Sequence, residues 1–189
     1  MKNLFLHSVV LMVIFSLIAL PAQARKMAGV EFEDPITIDG TKLTLNGLAL
    51  RTKKVLFMNF RIYVAGLYLL DKTQDGEAIL ASDTPRHLVT HFLHSKVTRK
   101  QMTDAWKESF TRHEYQDKKV GQFIAFYSED FKKGEQMIFT YLPGKGTTVT
   151  LRGKVCGTIP GKDFADALFS IYIAQNAGLP RIRDGLLGK

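Results

Sequence analysis

Apolar and polar positions alternate along residues 36–45 on either side of Asp39-Gly40, a strand period joined to a two-residue turn that predicts a type I′ hairpin. Residues 55–60 and 62–70 are apolar on both parities, which predicts central strands covered on both faces. Tyr63 there shares a side with Ala65, Leu67 and Leu69. A short helix is expected at 75–81 and a returning strand at 86–94. Thr98 followed by Gln101 has the form of a capping box, and Met102, Ala105, Trp106 and Phe110 then recur at helical spacing. A second amphipathic run holds Val120, Phe123, Ile124, Tyr127 and Phe131. Residues 135–142 and 147–152 flank Pro143-Gly144-Lys145-Gly146 and predict another hairpin, with a further strand at 154–159. A helix over 163–176 carrying Phe164, Leu168, Ile171 and Tyr172 closes the domain. Most strand connections are too short for parallel crossovers, so the order implies an α+β fold, a large antiparallel sheet with a layer of helices on one face.

The first residues stand apart from this pattern. Lys2, an apolar run over 9–20 and Ala22-Gln23-Ala24 have the form of a signal peptide with an A-x-A cleavage site. The run is short of the roughly 20 residues that cross a bilayer. The expectation is a cleaved leader at 1–24, a periplasmic address, and one domain over 25–189. The net charge of +8 becomes +7 without Lys2, the one charged residue of the leader. This surplus is scattered over Lys53-Lys54, Lys118-Lys119, Lys132-Lys133 and Arg181 with Arg183. It lacks the concentrated basic face with stacking aromatics that nucleic acid requires, and leaves only weak attraction to an anionic membrane surface. Cys156 is the single cysteine, so no intramolecular disulfide forms; its neighbours Val155 and Gly157 point to a buried strand position.

Several candidate chemistries fail on spacing. On a strand, His87 and His91 stand about 13 Å apart and His94 falls on the other parity, too dispersed for one metal ion. The two glycine-lysine stretches, 143–148 and 157–163, miss the phosphate-loop spacing; the first serves a turn, and Asp163 of the second suits a helix N-cap. No nucleophile-elbow signature accompanies the scattered Ser, His and Asp residues. No cofactor motif emerges.

Arg51 is the residue that needs a partner. It lies in LTLNGLALRTKKVLFMNFRIYVAGLYLL, residues 43–70, among apolar strands, where an unpaired guanidinium is costly to bury. An apolar ligand bearing a carboxylate would supply the anion. The competing roles are a turn cap, or an ion pair with Glu31, Glu33 or Asp34; for Tyr63 the plain alternative is sheet packing. Through LNGLALR and the strand ending AGLYLL, the chain resembles the chalcone isomerase superfamily, in particular its bacterial secreted chalcone isomerase-like branch, over most of the mature sequence. That resemblance implies an open-faced sandwich with a cleft between sheet and helices. It also implies that Arg51 occupies the position of the arginine that orients substrate in plant isomerases. In the fatty-acid-binding members, this arginine and a tyrosine at a place comparable to Tyr63 hold the ligand carboxylate. The isomerases carry threonine where Tyr63 aligns, and a tyrosine and an asparagine where this chain has Val97 and Asp104, which weakens enol and phenolate stabilisation. Ser170 aligns with a hydroxyl residue near their substrate. The site expected from the resemblance is Arg51, Tyr63, Asp104 and Ser170, with Trp106 or Phe110 along the tail. The leading expectation is a non-catalytic binder of a small lipophilic or aromatic carboxylate such as a fatty acid. An isomerase or intramolecular lyase acting on a phenolic or enolisable substrate, and a periplasmic structural or interaction protein whose cleft is filled by its own side chains, stay open as alternatives.

Overall fold

A computed structural model describes residues 24–189; the apolar run and the start of its cleavage signal lie outside the described residues. In chain order the elements are β1 (Arg25–Met27), β2 (Val30–Phe32), β3 (Ile36–Ile38), β4 (Thr41–Val55), β5 (Met58–Leu69), α1 (Gly76–Ala81), β6 (Arg86–Phe92), β7 (Lys96–Val97) and α2 (Arg99–Arg112). They continue with α3 (Lys118–Ala125), β8 (Phe131–Lys132), β9 (Gln136–Leu142), β10 (Gly146–Leu151), β11 (Lys154–Ile159), α4 (Lys162–Ile173) and α5 (Pro180–Leu186). Seven strands form one antiparallel sheet in the order β11-β10-β9-β6-β5-β4-β3. This is the α+β sheet-and-helix architecture that the pattern implies.

Local chemistry places the turns and caps. Asp39 and Gly40 both take positive φ (50° and 76°), as a type I′ turn requires, and pair Ile38 with Thr41. Gly144 and Gly146 bend the β9–β10 connection in the same region of backbone space. At α2 the capping box is complete: the Thr98 side chain accepts from Gln101 N, and Gln101 Oε1 accepts from Thr98 N. Asp75 and Asp117 cap α1 and α3.

The helices cover one sheet face, burying Leu67, Leu69, Phe92 and Phe139 from the strands with Trp106, Phe110, Phe123, Phe164 and Leu168 from the helices. The second face is not bare. The short β1–β2 ribbon lays Phe32 over Leu43, Leu45, Leu48, Val64 and Tyr68, so the centre of β5 is enclosed on both sides, as its apolar run requires. His87 and His91 belong to this second face, edge-on to Tyr68 and Phe32 at 5.7 and 5.1 Å between ring centroids.

Five sequence expectations need correction. The second amphipathic run is not helical to its end: α3 stops at Ala125 and Phe131 lies on β8. Residues 55–60 do not form one strand: β4 runs on to Val55, a turn at Leu56-Phe57 reverses the chain, and β5 starts at Met58. No Gly, Asn or Pro marks that turn; Leu56 itself takes the left-handed conformation at φ 54°. The last helix stops at Ile173, and a further helix, α5, follows the Gly178–Pro180 break. Asp163 is not the N-cap of α4; Gly161 holds that position, while Asp163 accepts from Lys119 Nζ and Tyr115 Oη, both at 2.7 Å. Cys156 is only half-buried, because β11 is the edge strand of the sheet.

The motif Asn46-Gly47 is explained by α5. A bulge at Leu45/Gly47 turns the Asn46 side chain out of the ladder, where Nδ2 donates to Leu186 O (2.7 Å) and Thr73 O (3.0 Å) while Oδ1 accepts from Thr73 N (2.8 Å). Gly47 then lets the helix backbone come down on the strand; a Cβ there would stand 2.2 Å from Gly185 O. A buried arginine ties the opposite flank. Arg86, fully enclosed, donates to Asp166 Oδ1 (2.8 Å) and Ser82 O (2.6 Å) and lies over the rings of Tyr141 and Phe169.

Candidate functional site

β4 and β5 change character along their length. Both are buried in the sheet centre, whereas every residue from Thr52 to Asn59 is exposed. β6 pairs with β5 only from Tyr63 onward, and a bulge follows Arg51 directly, so the cross-strand pair Arg51 and Tyr63 stands where the covered sheet ends.

A cavity of about 520 Å3 opens there, between this end of the sheet, β7, α2 and α4. Its size falls within the roughly 300–1,000 Å3 of small-molecule sites. Phe92, Trp106, Met102, Met137, Ile171 and Leu179 supply apolar wall, and Arg51, Lys53 and Lys96 bring positive charge. No carboxylate lines it among the described residues. Lys96 is spoken for by Asp130 at 2.9 Å. Arg51 has no hydrogen-bond or ion-pair partner among the described residues; of the carboxylates that compete for it in sequence, Glu31 pairs with Lys26, Asp34 holds Lys72 and the Leu45 amide, and Glu33 is exposed and does not pair with it. An unpaired guanidinium beside an open apolar space, rather than an internal salt bridge over a filled cleft, is the arrangement observed.

Two phenols share the space with Arg51. Burial pushes the Tyr63 hydroxyl up to about 12, with the Arg51 charge pulling it back. Tyr63 is half-buried, with the cavity along one side of it. Tyr172, from α4, is raised further by burial first and by its neighbour Tyr63 second, again opposed by Arg51. Both therefore stay protonated at neutral pH and present O–H donors. Behind them Tyr63 meets Phe92 edge-on at 6.1 Å, and Trp106 lies 6.2 Å from the Tyr172 ring.

Of the residues singled out from sequence, the fold brings Arg51, Tyr63 and Trp106 together on the cavity wall. It does not bring Asp104, Ser170 or Phe110. Met102, Ala105, Trp106 and Ser109 follow one helical stripe of α2 into the cavity, and the same periodicity turns Asp104 to solvent, where it pairs with Lys100 at 2.5 Å. On α4, Ile171 and Tyr172 face the cavity, while Ser170 back-bonds to Ala167 O (2.8 Å) and meets His113 Nδ1 (3.2 Å). Phe110 is core, stacked on Phe164 at 5.9 Å. Tyr172 is the residue the sequence concealed, since a tyrosine in an apolar helical stripe looks like packing; the signal was its phenol on the inward face. His94, separated from His87 and His91, lies on the cavity wall edge-on to Phe60 at 5.7 Å.

The family model described as chalcone isomerase-like matches residues 24–188. The chain belongs to the chalcone isomerase-like family. Among solved structures, this family member is similar to a fatty-acid binding protein from Arabidopsis thaliana, with TM-score 0.68 and 17% sequence identity over 87% of this chain and 96% of that one. At that identity the likeness establishes the shared fold. A search of curated proteins finds no match. Within the family's architecture, Arg51 at the end of a buried strand beside two neutral phenols is a place where one anionic group can be neutralised by a guanidinium and hydrogen-bonded by two hydroxyls, with its remainder against aromatic and methionine side chains.

Proposed function

We propose that the protein is a non-catalytic binder of a small lipophilic carboxylate, of the fatty-acid kind, working in the periplasm after removal of residues 1–24. The observation that carries the reading is the unpaired Arg51 on the wall of an apolar cavity that holds no carboxylate among the described residues. A guanidinium in such a place is satisfied by an anion delivered with an apolar body. In this reading Arg51 takes the carboxylate, Tyr63 and Tyr172 donate to it, and the chain of the ligand runs past Trp106, Phe92 and Met137. The fatty-acid binding function of the similar Arabidopsis structure supports the ligand class. Val97, on the cavity wall where isomerases carry a tyrosine, offers no donor to an attacked ketone, which favours binding over catalysis. The apolar N-terminal run and A-x-A triplet support secretion, as does the start of the family match at residue 24.

The test is displacement of a fluorescent fatty acid from the mature chain by dodecanoate, palmitate and the matching fatty alcohols. Wild type is expected to prefer the acids, and Arg51→Gln to lose roughly 10- to 150-fold in affinity for them, the loss of a charge-assisted hydrogen bond. Affinity for the alcohols should stay unchanged. Equal affinity of wild type and Arg51→Gln for the acids, or no displacement by any of them, would overturn the reading.

A further inference from the structure

The hairpin that carries Arg51 and Tyr63 ends in a tip that folding alone does not account for. Val55, Leu56, Phe57 and Met58 are 44%, 81%, 96% and 60% exposed. Tight turns favour Gly, Asn or Asp, above all where φ is positive, yet Leu56 holds φ 54° and Phe57 packs on nothing. Beyond Tyr63 the hairpin leaves β6, so these residues cap a two-stranded ribbon standing away from the sheet. The ribbon is also one-signed: residues 40–70 contain no carboxylate, and Lys53, Lys54 and Arg61 lie exposed just behind the tip. Its inner face is the cavity wall, since Lys53, Val55 and Phe60 line the space that holds Arg51.

We propose that this tip docks the protein on the surface of a membrane containing anionic lipid, with Leu56, Phe57 and Met58 entering the headgroup–acyl boundary and Lys53, Lys54 and Arg61 set against lipid phosphates, so that the cavity mouth opens at the bilayer. Charge complementarity selects this occupant. A second copy would bring like charges together, and four side chains fall far short of the roughly 800 Å2 per partner that a stable dimer buries. A shallow apolar wedge backed by cations is the mode of membrane contact that this tip fits. The inference deepens the fatty-acid reading, because a ligand that partitions into bilayers would then pass between membrane and cavity along the ribbon's inner face.

The experiment is flotation of the ligand-free mature chain with phosphatidylcholine vesicles prepared with and without phosphatidylglycerol. Binding is expected only with the anionic lipid, and to weaken at high salt. Leu56→Gly combined with Phe57→Ser puts residues suited to a tight turn at the tip, so the fold is kept while binding falls roughly tenfold or more from the lost apolar insertion. Lys54→Glu with Arg61→Glu, on the ribbon face turned away from the cavity, should lower binding to anionic vesicles as well. Equal flotation of the tip variant and wild type would overturn the proposal, as would failure of wild type to bind anionic vesicles or a wild-type dimer that the tip variant abolishes. Displacement assays in solution, without vesicles, report the cavity separately: the tip variant should keep wild-type affinity for free dodecanoate, so failure of docking and failure of the binding reading are distinguishable.

Discussion

Acidification should destabilise this protein through one histidine, and the size of the effect follows from its surroundings. His87 is 7% exposed, accepts or donates one hydrogen bond to Thr140 Oγ1 at 2.8 Å, and packs edge-on against Tyr68. Burial lowers its pKa from 6.5 to about 4, because the imidazolium would lose its hydration without gaining an anion. The unfolded chain takes up a proton near pH 6.5 and the folded chain does not until about pH 4. His87 therefore costs nothing above pH 6.5, costs increasingly as pH falls from there to about 4, and adds no further cost below. At about 1.4 kcal/mol per pH unit the penalty saturates near 3 kcal/mol, and between about pH 7.5 and pH 5.5 it reaches about 1.3 kcal/mol. Thermal melts of wild type and His87→Gln, which keeps a polar partner for Thr140, isolate this share from the carboxylates and from His91, whose pKa is also lowered by burial. Wild type should lose roughly 3–5 °C more in Tm than His87→Gln over that interval. Equal losses in the two proteins would refute the claim that the buried neutral imidazole sets the acid sensitivity.

Other outcomes are as specific. Tyr172→Phe should weaken fatty-acid binding roughly three- to tenfold, the share of one neutral hydrogen bond, with its melting temperature unchanged. Asp104→Asn should leave that affinity alone, since Asp104 pairs with Lys100 on the solvent side of α2; a loss comparable to that of Arg51→Gln would put the cavity in the wrong place. Gly47→Ala should destabilise by about 3 kcal/mol in urea, because its Cβ meets the backbone of α5 and neither can give. Arg86→Leu should cost about 3 kcal/mol by stranding the Ser82 carbonyl and leaving Asp166 and the Leu80 carbonyl to Lys162 alone; a variant as stable as wild type would show that arginine to be dispensable packing.

Much of the architecture was legible along the chain because it rests on local rules. Period and turn chemistry exposed the Asp39-Gly40 hairpin, the capping box at Thr98 and the β9–β10 hairpin, each determined by a few contiguous residues. Enclosure of β5 on both faces was equally written in its unbroken apolar run, although the covering ribbon of three-residue strands is too short to show a period. The oddity of Arg51, a guanidinium in apolar company, was also visible without coordinates. Tertiary structure alone decided what surrounds it. Which carboxylates stay out of reach, whether the tyrosine of α4 comes within the arginine's field, and which side of α2 carries Asp104 depend on how distant elements pack and rotate about their axes. The turn at Leu56-Phe57 was hidden for the opposite reason. Its residues break the local rules of turns, so their placement at an exposed tip follows from the pairing of β4 with β5 along their full length, a long-range constraint that no short window of sequence expresses.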